Sequence, residues 1–368
     1  MIAFSKHSIP SKIKKNFNEI LKTGWFTHGK FTNSFENEFK KFTGSKYCTV
    51  VSSCTAGLHL SILALGLKKN SEVLVPAMSH TATSHAAEYA NLKVKFLDIN
   101  PKSGNIEFKE IVKNTSKKTR AIIIVHMNGN ICEIKKIKNF CDKKKIFLIE
   151  DCAHALGTNY KNNHVGNYGI SGCFSFYPTK QITTGEGGVV ITNNKKFYDK
   201  IKVLKAFGID KDIKDRKLPG KYNVKLLGFN YRMTELNAAM GLLQLEKYNK
   251  FLLKRKLIAK RYINNLSNID QIDFCKFSDN SSYFIFPILT KFRDSLLKHL
   301  IKKKIGVSIH YATPLPFMTY YKKKYNLNKL KYKNSALYAD RNISLPVYPK
   351  LSLTDVDKIC SEIKKFFK

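Results

Sequence analysis

Short apolar segments of strand length alternate with segments of helical spacing through the first part of the chain, and this alternation constrains the fold most. Tyr47–Ser53, Glu72–Ala77 and Lys93–Ile99 are typical of strands, and apolar residues recur at helical intervals in Ala56–Leu67 and Ala82–Tyr89 between them. The pattern continues with Ala121–Met127, Glu133–Lys145 and Ile146–Asp151. It predicts an α/β fold of three layers, with a mostly parallel central sheet covered by helices on both faces.

Further segments extend this predicted large domain in both directions. Two helices form an N-terminal arm, and two strands, a helix, a polar lysine-rich stretch and a long helical pattern follow the alternating region. In chain order these segments are Lys12–Thr23, Phe35–Thr43, Gly172–Tyr177, Gly187–Thr192, Lys195–Phe207, Asp210–Tyr222 and Thr234 to about Leu266.

The last part of the chain has a different pattern, typical of a smaller α+β lobe. Its predicted elements are Tyr283–Leu289, Arg293–Lys303, Gly306–Tyr311 and Asp355–Phe367. We therefore expect a large domain of residues 1–250, including the arm, and a small C-terminal domain of residues 251–368.

The formal net charge of +38 makes nucleic-acid binding a hypothesis to weigh. Only seven of the 65 basic residues are arginine, whereas nucleic-acid surfaces favour the fork geometry of the guanidinium group. Lysine is spread along the whole chain rather than concentrated in one segment. We therefore expect no nucleic-acid partner, and a solvated lysine surface whose positive field attracts an anionic substrate.

The apolar and cysteine patterns argue against a membrane or secreted protein and against a metal-binding protein. No apolar run approaches the length of a membrane span, and Met1–Pro10 lacks the apolar segment of a signal peptide, so we expect a cytoplasmic protein without membrane insertion. The eight cysteines form no Cys-x-x-Cys pair, so we expect no metal site.

One lysine lies in a small, glycine-rich loop between two predicted strands. Residues 174–188 read F-S-F-Y-P-T-K-Q-I-T-T-G-E-G-G, in which the lysine is Lys180. In a lysine-rich chain a solvated surface charge is the simplest interpretation. The apolar and glycine-rich surroundings, however, allow close approach of a cofactor, and a partly desolvated amine there can form an imine.

An acidic motif, I-E-D-C-A-H-A-L-G at residues 149–157, follows a predicted buried strand. Ligands of open α/β sheets bind outside the carboxyl ends of the strands, so Glu150, Asp151 and His154 are well placed for function. A carboxylate beside a pyridinium nitrogen is what a pyridoxal cofactor requires. An aspartate that caps the next turn is the alternative interpretation.

A strand-to-helix turn, V-S-S-C-T-A-G-L at residues 51–58, contains only small side chains before its final leucine. The free amides at a helix start form an anion site that a phosphate group can approach. An ordinary N-cap by Ser53 or Thr55 is the alternative, and it involves no ligand.

Eight motifs occur in order along nearly the whole chain. They are G-W-F-T-H-G-K (24–30), S-S-C-T-A-G (52–57), P-A-M-S-H-T-A-T (76–83), E-D-C-A-H-A-L-G (150–157), S-F-Y-P-T-K (175–180), G-E-G-G (185–188), G-F-N-Y-R-M-T-E-L-N-A-A (228–239) and L-P-V-Y-P-K-L (345–351). In this order the chain resembles the DegT/DnrJ/StrS-type sugar aminotransferases, which are pyridoxal-phosphate (PLP) enzymes of the aspartate-aminotransferase fold, fold type I.

The resemblance implies a role for individual residues. Lys180 forms the Schiff base with PLP and shuttles a proton, Asp151 pairs with the ring nitrogen, His154 lies near the phenolic oxygen, and His80 stacks on the ring. The residues implied to bind phosphate are Thr55, Ala56 and Ser175, with Asn230 from the partner subunit, and those implied near the substrate are His310 and Tyr311.

The resemblance also implies the reaction and the assembly. We expect a homodimer with shared active sites that transfers an amino group from glutamate to a nucleotide-linked keto-sugar, in amino-sugar biosynthesis for a surface polysaccharide or glycan. Three of the motifs, at 24–29, 52–57 and 150–157, look more like members that act at carbon four, so a 4-keto-6-deoxyhexose is the expected substrate.

Four alternatives remain open at this point. They are amination at carbon three, a PLP-dependent sugar dehydratase on the same fold, a cofactor-binding regulator without turnover, and a nucleic-acid-binding protein. The dehydratases of this family are associated with histidine in place of the lysine, so Lys180 favours transamination. No recognisable motif supplies the basic groove with aromatic platforms that the last alternative requires.

Overall fold

The computed structural model describes residues 1–211 and 216–368, so four residues of the polar stretch Asp210–Tyr222 lie outside the described residues. The N-terminal arm contains the helices α1 (Ile13–Thr23) and α2 (Lys30–Thr43). Helix α2 begins five residues before the predicted Phe35, because the Glu235 carboxylate accepts hydrogen bonds from the N–H groups of Gly29, Phe31 and Thr32 at 2.7–3.0 Å. A carboxylate from a distant segment thus supplies the N-terminal cap.

The centre of the molecule is a seven-stranded sheet with the strand order β1-β9-β8-β5-β4-β2-β3. Within the described ranges, six of these strands run in one direction, and β9 runs in the opposite direction between β1 and β8. The strands are β1 (Tyr47–Val51), β2 (Glu72–Pro76), β3 (Lys93–Leu97), β4 (Thr119–Val125), β5 (Phe147–Asp151), β8 (Ser171–Ser175) and β9 (Gly188–Thr192), and a small hairpin of β6 (Asn159–Tyr160) and β7 (Asn163–His164) lies between β5 and β8.

Helices cover both faces of this sheet. Neighbouring residues of one strand point to opposite faces, so Leu148 and Ile149 of β5 lie in two different apolar clusters, and both are buried. The predicted three-layer architecture is therefore present. The helices of this part are α3 (Cys54–Leu65), α4 (Thr81–Tyr89), α5 (Phe108–Asn114), α6 (Ile134–Lys144), α7 (Lys195–Leu204) and α8 (Glu235–Leu245).

The C-terminal part contains a second sheet, with the antiparallel strands β10 (Asp273–Phe274), β11 (Phe286–Leu289) and β12 (Asn342–Leu345). Its own apolar cluster includes Tyr262, Leu296 and Ile359, all buried. The helices here are α9 (Tyr248–Leu266), α10 (Arg293–Lys302), α11 (Thr319–Tyr325), α12 (Lys333–Arg341) and α13 (Leu353–Phe367).

Two predicted elements differ from the structure. The single helix from Thr234 to about Leu266 is divided at residues 246–247 into α8 and α9, because α8 packs into a cluster of the large sheet whereas most of α9 packs into the C-terminal cluster. Gly306–Tyr311 forms a single bridge, between Ser308 and Ser344, rather than a strand. The Gly306 N–H donates to Ile2 and the His310 N–H donates to the Asn342 side chain, which interrupts a regular ladder.

Among the described residues, no helix is both long enough and apolar enough to cross a membrane.

Candidate active site

A cavity of about 450 Å³ lies where β5 and β8 end, at the carboxyl edge of the parallel strands. Eight of the residues proposed from the sequence line it, namely Thr55, His80, Asp151, His154, Ser175, Lys180, His310 and Tyr311. A larger, lysine-lined groove between the N-terminal segment and α13 contains none of them. The structure thus brings together residues that are far apart in sequence, at the edge of the sheet where α/β proteins bind ligands.

Asp151 is the last residue of β5, and its carboxylate is buried and held by several donors. The Thr83 hydroxyl donates to Oδ2 at 2.8 Å, and the Ala153 N–H donates to Oδ1 at 3.1 Å. The Cys54 thiol lies 3.9 Å from Oδ1, within range of a weak S–H hydrogen bond. Both carboxylate oxygens are thus held by donors, which fixes the orientation of the carboxylate at the cavity.

Lys180 lies in the loop between β8 and β9, partly buried, with its side chain at the cavity. Its Nζ atom lies over the Phe284 ring, 4.6 Å from the ring centre. Burial lowers the pKa of the Lys180 amine from 10.5 to about 8, and the negative charge of Asp151 opposes this shift in part. An amine of this kind is neutral in a substantial fraction near pH 8 and can act as a nucleophile or a base.

The N-terminus of α3 lies at the same cavity and has unused donors. Ser53 caps the helix by accepting the Ala56 N–H at 3.0 Å. Within residues 1–211 and 216–368, the N–H groups of Cys54 and Thr55 donate to no protein acceptor, although both residues line the cavity. Two free amides at a helix start, beside an amine and a carboxylate, fit a phosphorylated cofactor such as PLP.

His154 and Tyr311 form a hydrogen-bonded pair at one wall. His154 Nε2 lies 3.2 Å from the Tyr311 hydroxyl, and His154 Nδ1 accepts the Asn128 N–H at 3.4 Å. The imidazole stacks on the Phe284 ring, with centroids 4.3 Å apart. Burial, together with the charge of Lys180, lowers the pKa of His154 well below its ordinary value, so the ring is neutral near pH 7.

His80 and His310 also line the cavity, and each has one ring nitrogen engaged. His80 Nδ1 accepts the Ala82 N–H at the start of α4, and His310 Nδ1 lies 3.1 Å from the Ser344 hydroxyl. Burial lowers the pKa of His310 to about 3. Both rings therefore present Nε2 as the nitrogen left for a ligand.

Two proposed residues lie outside the cavity lining. Ala56 is buried within α3, and its N–H is already bonded to Ser53. Asn230 is exposed, and its side-chain oxygen accepts from Arg232 at 3.0 Å. Within one chain, therefore, Asn230 does not reach the site.

Glu150, next to Asp151, faces the opposite side of the strand. Its two oxygens accept the N–H groups of Gly166, Tyr168 and Gly169 at 2.7–2.8 Å, and Oε2 lies 3.0 Å from His126 Nε2. Glu150, His126 and Cys152 place an oxygen, a nitrogen and a sulfur within 4.8 Å of one another. Because Glu150 already accepts several donors at both oxygens, we assign it to holding the 166–169 loop rather than to a ligand.

Sequence reasoning did not single out Thr83, Phe284 or Asn128. Thr83 lies within a motif that carried the resemblance, and its position three residues after His80, on the first turn of α4, is a usable signal. Phe284 has no such signal, because its contact with His154 joins the C-terminal part to the large sheet. Asn128 follows β4, the parallel neighbour of β5, in a turn that none of the quoted motifs covers.

A family model matches almost the whole chain. The model of the DegT/DnrJ/EryC1/StrS aminotransferase family matches residues 7–364. The chain belongs to this family. The family and the enzyme class predicted from the motifs are thereby confirmed.

Two curated relatives cover this aminotransferase almost completely. GDP-perosamine synthase of Escherichia coli O157:H7 is 34% identical over 364 residues, which are 98% of this chain and 97% of that protein. UDP-4-amino-4,6-dideoxy-N-acetyl-beta-L-altrosamine transaminase of Campylobacter jejuni serotype O:23/36 is 35% identical over 366 residues, with coverage of 96% and 94%.

Solved structures share the fold over the whole chain. PseC of Helicobacter pylori, an aminotransferase of pseudoaminic acid biosynthesis, has a TM-score of 0.93 at 29% identity, with 100% of this chain and 99% of that chain covered. Spr1654 of Streptococcus pneumoniae in its PMP-form has a TM-score of 0.93 at 26% identity, with coverage of 99% and 98%, and it was also solved in a PLP-form. The predicted α/β fold is confirmed.

A dehydratase shares this fold as well. GDP-4-keto-6-deoxymannose-3-dehydratase (ColD) has a TM-score of 0.92 at 24% identity, with 99% of this chain and 100% of that chain covered. The fold alone therefore does not separate transamination from dehydration, and the side chains in the cavity must decide.

Proposed function

We propose that this aminotransferase uses PLP to transfer an amino group from glutamate to a nucleotide-linked keto-sugar. The observation that carries the proposal is the single cavity shared by the Lys180 amine, the Asp151 carboxylate and the free amides at the start of α3. When bound, PLP supplies an electron sink for the carbon that loses its proton.

Residues of this chain would hold the cofactor and move the proton. The amides of Cys54 and Thr55 and the Ser175 hydroxyl would bind the phosphate, and Asp151, held in place by its donors, would pair with the ring nitrogen. Lys180 would bond to the cofactor covalently and, once released, carry a proton, because its pKa of about 8 is near the working pH.

Neutral histidines complete the site. His80 would stack on the ring and His154 would lie near the phenolic oxygen, with His310 and Tyr311 toward the substrate. The pKa values of His154 and His310 are lowered, so both rings stay neutral near pH 7. Lys180, with a pKa of about 8, is therefore the group expected to exchange protons there.

Lys180 also argues against the alternatives on this fold. Dehydration in this family is associated with histidine at the lysine position, and a regulator without turnover would have no use for an amine with a lowered pKa. We therefore place this chain among the transaminases, the class for which the Campylobacter relative is named.

The substrate is proposed to be a 4-keto-6-deoxyhexose on a nucleotide, aminated at carbon four. The Campylobacter relative is named for a 4-amino-4,6-dideoxy sugar linked to UDP, and the Escherichia coli relative for a sugar linked to GDP. The net charge of +38 favours an anionic nucleotide sugar of either kind.

A homodimer with shared sites is proposed from Asn230 and its surroundings. Asn230 is exposed, and the preceding segment leaves the apolar side chains of Tyr222, Val224 and Leu227 exposed, Leu227 to 86%. A group of exposed apolar side chains is typical of an interface. We further propose that residues 1–250 and 251–368 form the large and the small domain.

The test is incubation with glutamate and paired 3-keto and 4-keto nucleotide sugars, with the product determined by NMR. We expect an amino group at carbon four. An amino group only at carbon three would refute the positional claim and leave transamination intact. No turnover of any keto-sugar, with efficient turnover of free amino acids, would overturn the proposed substrate class.

A further inference from the structure

The Tyr311 hydroxyl is the end of a hydrogen-bonded relay that begins at a backbone amide. The N–H of Asn128 can only donate, so His154 Nδ1, which lies 3.4 Å away, must accept. A neutral imidazole that accepts at Nδ1 carries its hydrogen on Nε2. The Nε2–H group therefore donates to the Tyr311 oxygen, at 3.2 Å.

This assignment determines what Tyr311 can do. With its oxygen accepting from His154, the Tyr311 hydroxyl hydrogen needs another acceptor, and the described part of the chain offers it none. Tyr311 lines the cavity, so its remaining hydrogen is directed to a group bound there. We propose that Tyr311 is a fixed hydrogen-bond donor to an acceptor oxygen of the bound cofactor or substrate, and that Asn128 and His154 are positioning residues that set its direction.

The surroundings of His154 keep the relay in one orientation. The Phe284 ring stacks on the imidazole at 4.3 Å, and the Phe284 N–H donates to the Asn128 carbonyl at 3.1 Å. Asn128 has a positive φ of 61° within the turn Met127–Gly129, and its side-chain amide donates to the Tyr338 hydroxyl at 2.9 Å. Both the amide that starts the relay and the ring that continues it are therefore fixed by contacts on two sides.

The relay has a chemical consequence for the site. A tyrosine that could rotate its hydroxyl would serve either as donor or as acceptor, but a tyrosine that must accept from His154 is left as a donor. It therefore favours a ligand oxygen that carries negative charge, such as a phenolate, a carboxylate or a developing alkoxide. The inference rests on the proposed function only for the identity of that ligand.

The first experiment tests the relay without any ligand. Apoprotein labelled with ¹⁵N-histidine is examined by NMR from pH 6 to 9, and the His154 signals are assigned by their loss in His154→Gln. We expect an unprotonated Nδ1 and a protonated Nε2 throughout this range. A hydrogen on Nδ1, or a charged ring at pH 7, would overturn the proposal.

A variant of Asn128 tests the start of the relay. Asn128→Gly keeps both the backbone N–H and the positive φ while removing the side chain, so the His154 tautomer should be unchanged. A changed tautomer in this variant would assign the orientation of His154 to the Asn128 side chain and contradict the relay.

The second experiment locates the acceptor with Tyr311→Phe, using Tyr283→Phe as the matched control because Tyr283 lies outside the cavity lining. PLP binding to the apoprotein is titrated by absorbance, and glutamate binding to the PLP-loaded protein is then titrated. Keto-sugar binding is titrated on protein loaded with the amino form of the cofactor. If Tyr311 donates to the cofactor, PLP affinity falls about tenfold or more. If it donates to the second ligand, PLP affinity is kept and glutamate or keto-sugar affinity falls by a similar factor. Full affinity for PLP, glutamate and the keto-sugar would overturn the donor role, whichever keto-sugar proves to be the substrate.

Discussion

The Lys180 Nζ atom lies 4.6 Å from the centre of the Phe284 ring, which also stacks on His154. One aromatic ring from the C-terminal part thus contacts both the amine and the imidazole of the site. A ring face attracts a cation, so Phe284 stabilises the protonated form of Lys180 while its bulk excludes water.

Replacing Phe284 by leucine should therefore lower the pKa of Lys180 further. Leucine keeps the apolar bulk but loses the cation–π attraction, which is worth about 0.5–2 kcal/mol, or roughly half a unit to more than one unit of pKa. Phe284→Tyr, which keeps the ring, is the control and should change little. The pKa is measured on apoprotein from the pH dependence of reductive methylation of the Lys180 peptide. A pKa that rises in Phe284→Leu would mean that exclusion of water is the main effect of the ring.

The stability of the apoprotein should depend on pH through Lys180. The unfolded lysine keeps its ordinary pKa of 10.5, whereas the folded one has a pKa of about 8, so the cost of the buried charge is complete below pH 8 and fades between pH 8 and 10.5. Lys180→Met removes this cost and should raise the free energy of unfolding at pH 7 by up to about 3 kcal/mol. Urea unfolding of both proteins at pH 7 and pH 10 measures the difference. If Lys180→Met raises the free energy of unfolding equally at both pH values, the increase comes from packing and not from removal of the charge.

Thr83→Val should weaken cofactor binding through Asp151. The Thr83 hydroxyl donates to the carboxylate at 2.8 Å, and its loss leaves one buried oxygen without that donor. Hydrogen bonds to charged groups contribute about 1.5–3 kcal/mol, so PLP affinity should fall roughly tenfold to a hundredfold. Thr83→Ser keeps the hydroxyl and is the matched control. Equal PLP affinity in the valine and serine variants would show that Asp151 does not depend on this contact.

Glu150→Gln should destabilise the fold with no direct effect on the cavity. Both oxygens of the Glu150 carboxylate accept hydrogen bonds from backbone N–H groups. In glutamine an NH₂ group replaces one of these oxygens, so a donor would face a donor. We expect a loss of about 3 kcal/mol in the free energy of unfolding, the order found when a buried charged partner is removed. The exposed Glu246→Gln serves as a surface control, with a change of about 0.5 kcal/mol or less. A near-zero effect at Glu150 would contradict its role in holding the 166–169 loop.

Hybrid dimers test whether Asn230 acts across an interface. Lys180→Ala and Asn230→Ala should each be inactive or strongly impaired, and mixing them should restore part of the activity, because one site of the hybrid then contains both wild-type residues. Activity is measured after subunit exchange has been verified with tagged chains. No recovery in verified hybrids would refute donation by Asn230 from the partner.

The sequence was sufficient where neighbouring strands determine which residues meet. Asp151 ends β5 and Ser175 ends β8, and these strands are parallel neighbours, so an acid after one strand and the Lys180 loop after the other must lie at one edge. The free start of α3 reaches the same edge because β1 pairs with β9, which begins where the lysine loop ends. Local pattern was therefore enough to place Asp151, the Lys180 loop and the start of α3 at one edge of the sheet.

Contacts between segments that are distant along the chain could not be predicted from the sequence. Phe284 contacts Lys180, although more than a hundred residues separate them in the sequence. Glu235, which caps α2, lies 204 residues after Phe31, one of the residues whose N–H it accepts. Nothing in the pattern around α2 indicates its earlier start, because its cap lies on α8. Ala56 was proposed as a phosphate ligand, but its N–H donates to the Ser53 side chain. The sequence does not tell which N–H groups at the start of a helix are used by the cap and which remain for a ligand.

The position of β1 at the sheet edge has a consequence for synthesis on the ribosome. Among the residues the structure describes, its hydrogen-bonded neighbour is β9, so Tyr47–Val51 emerges well before Gly188–Thr192 exists to pair with it. The carboxylate that caps α2 emerges later still. The strands from β2 to β5 can assemble in the meantime, because each has a parallel neighbour within the same nascent segment. The first strand therefore has no pairing partner until more than half of the chain has been made, and the high positive charge of the chain opposes aggregation during that interval.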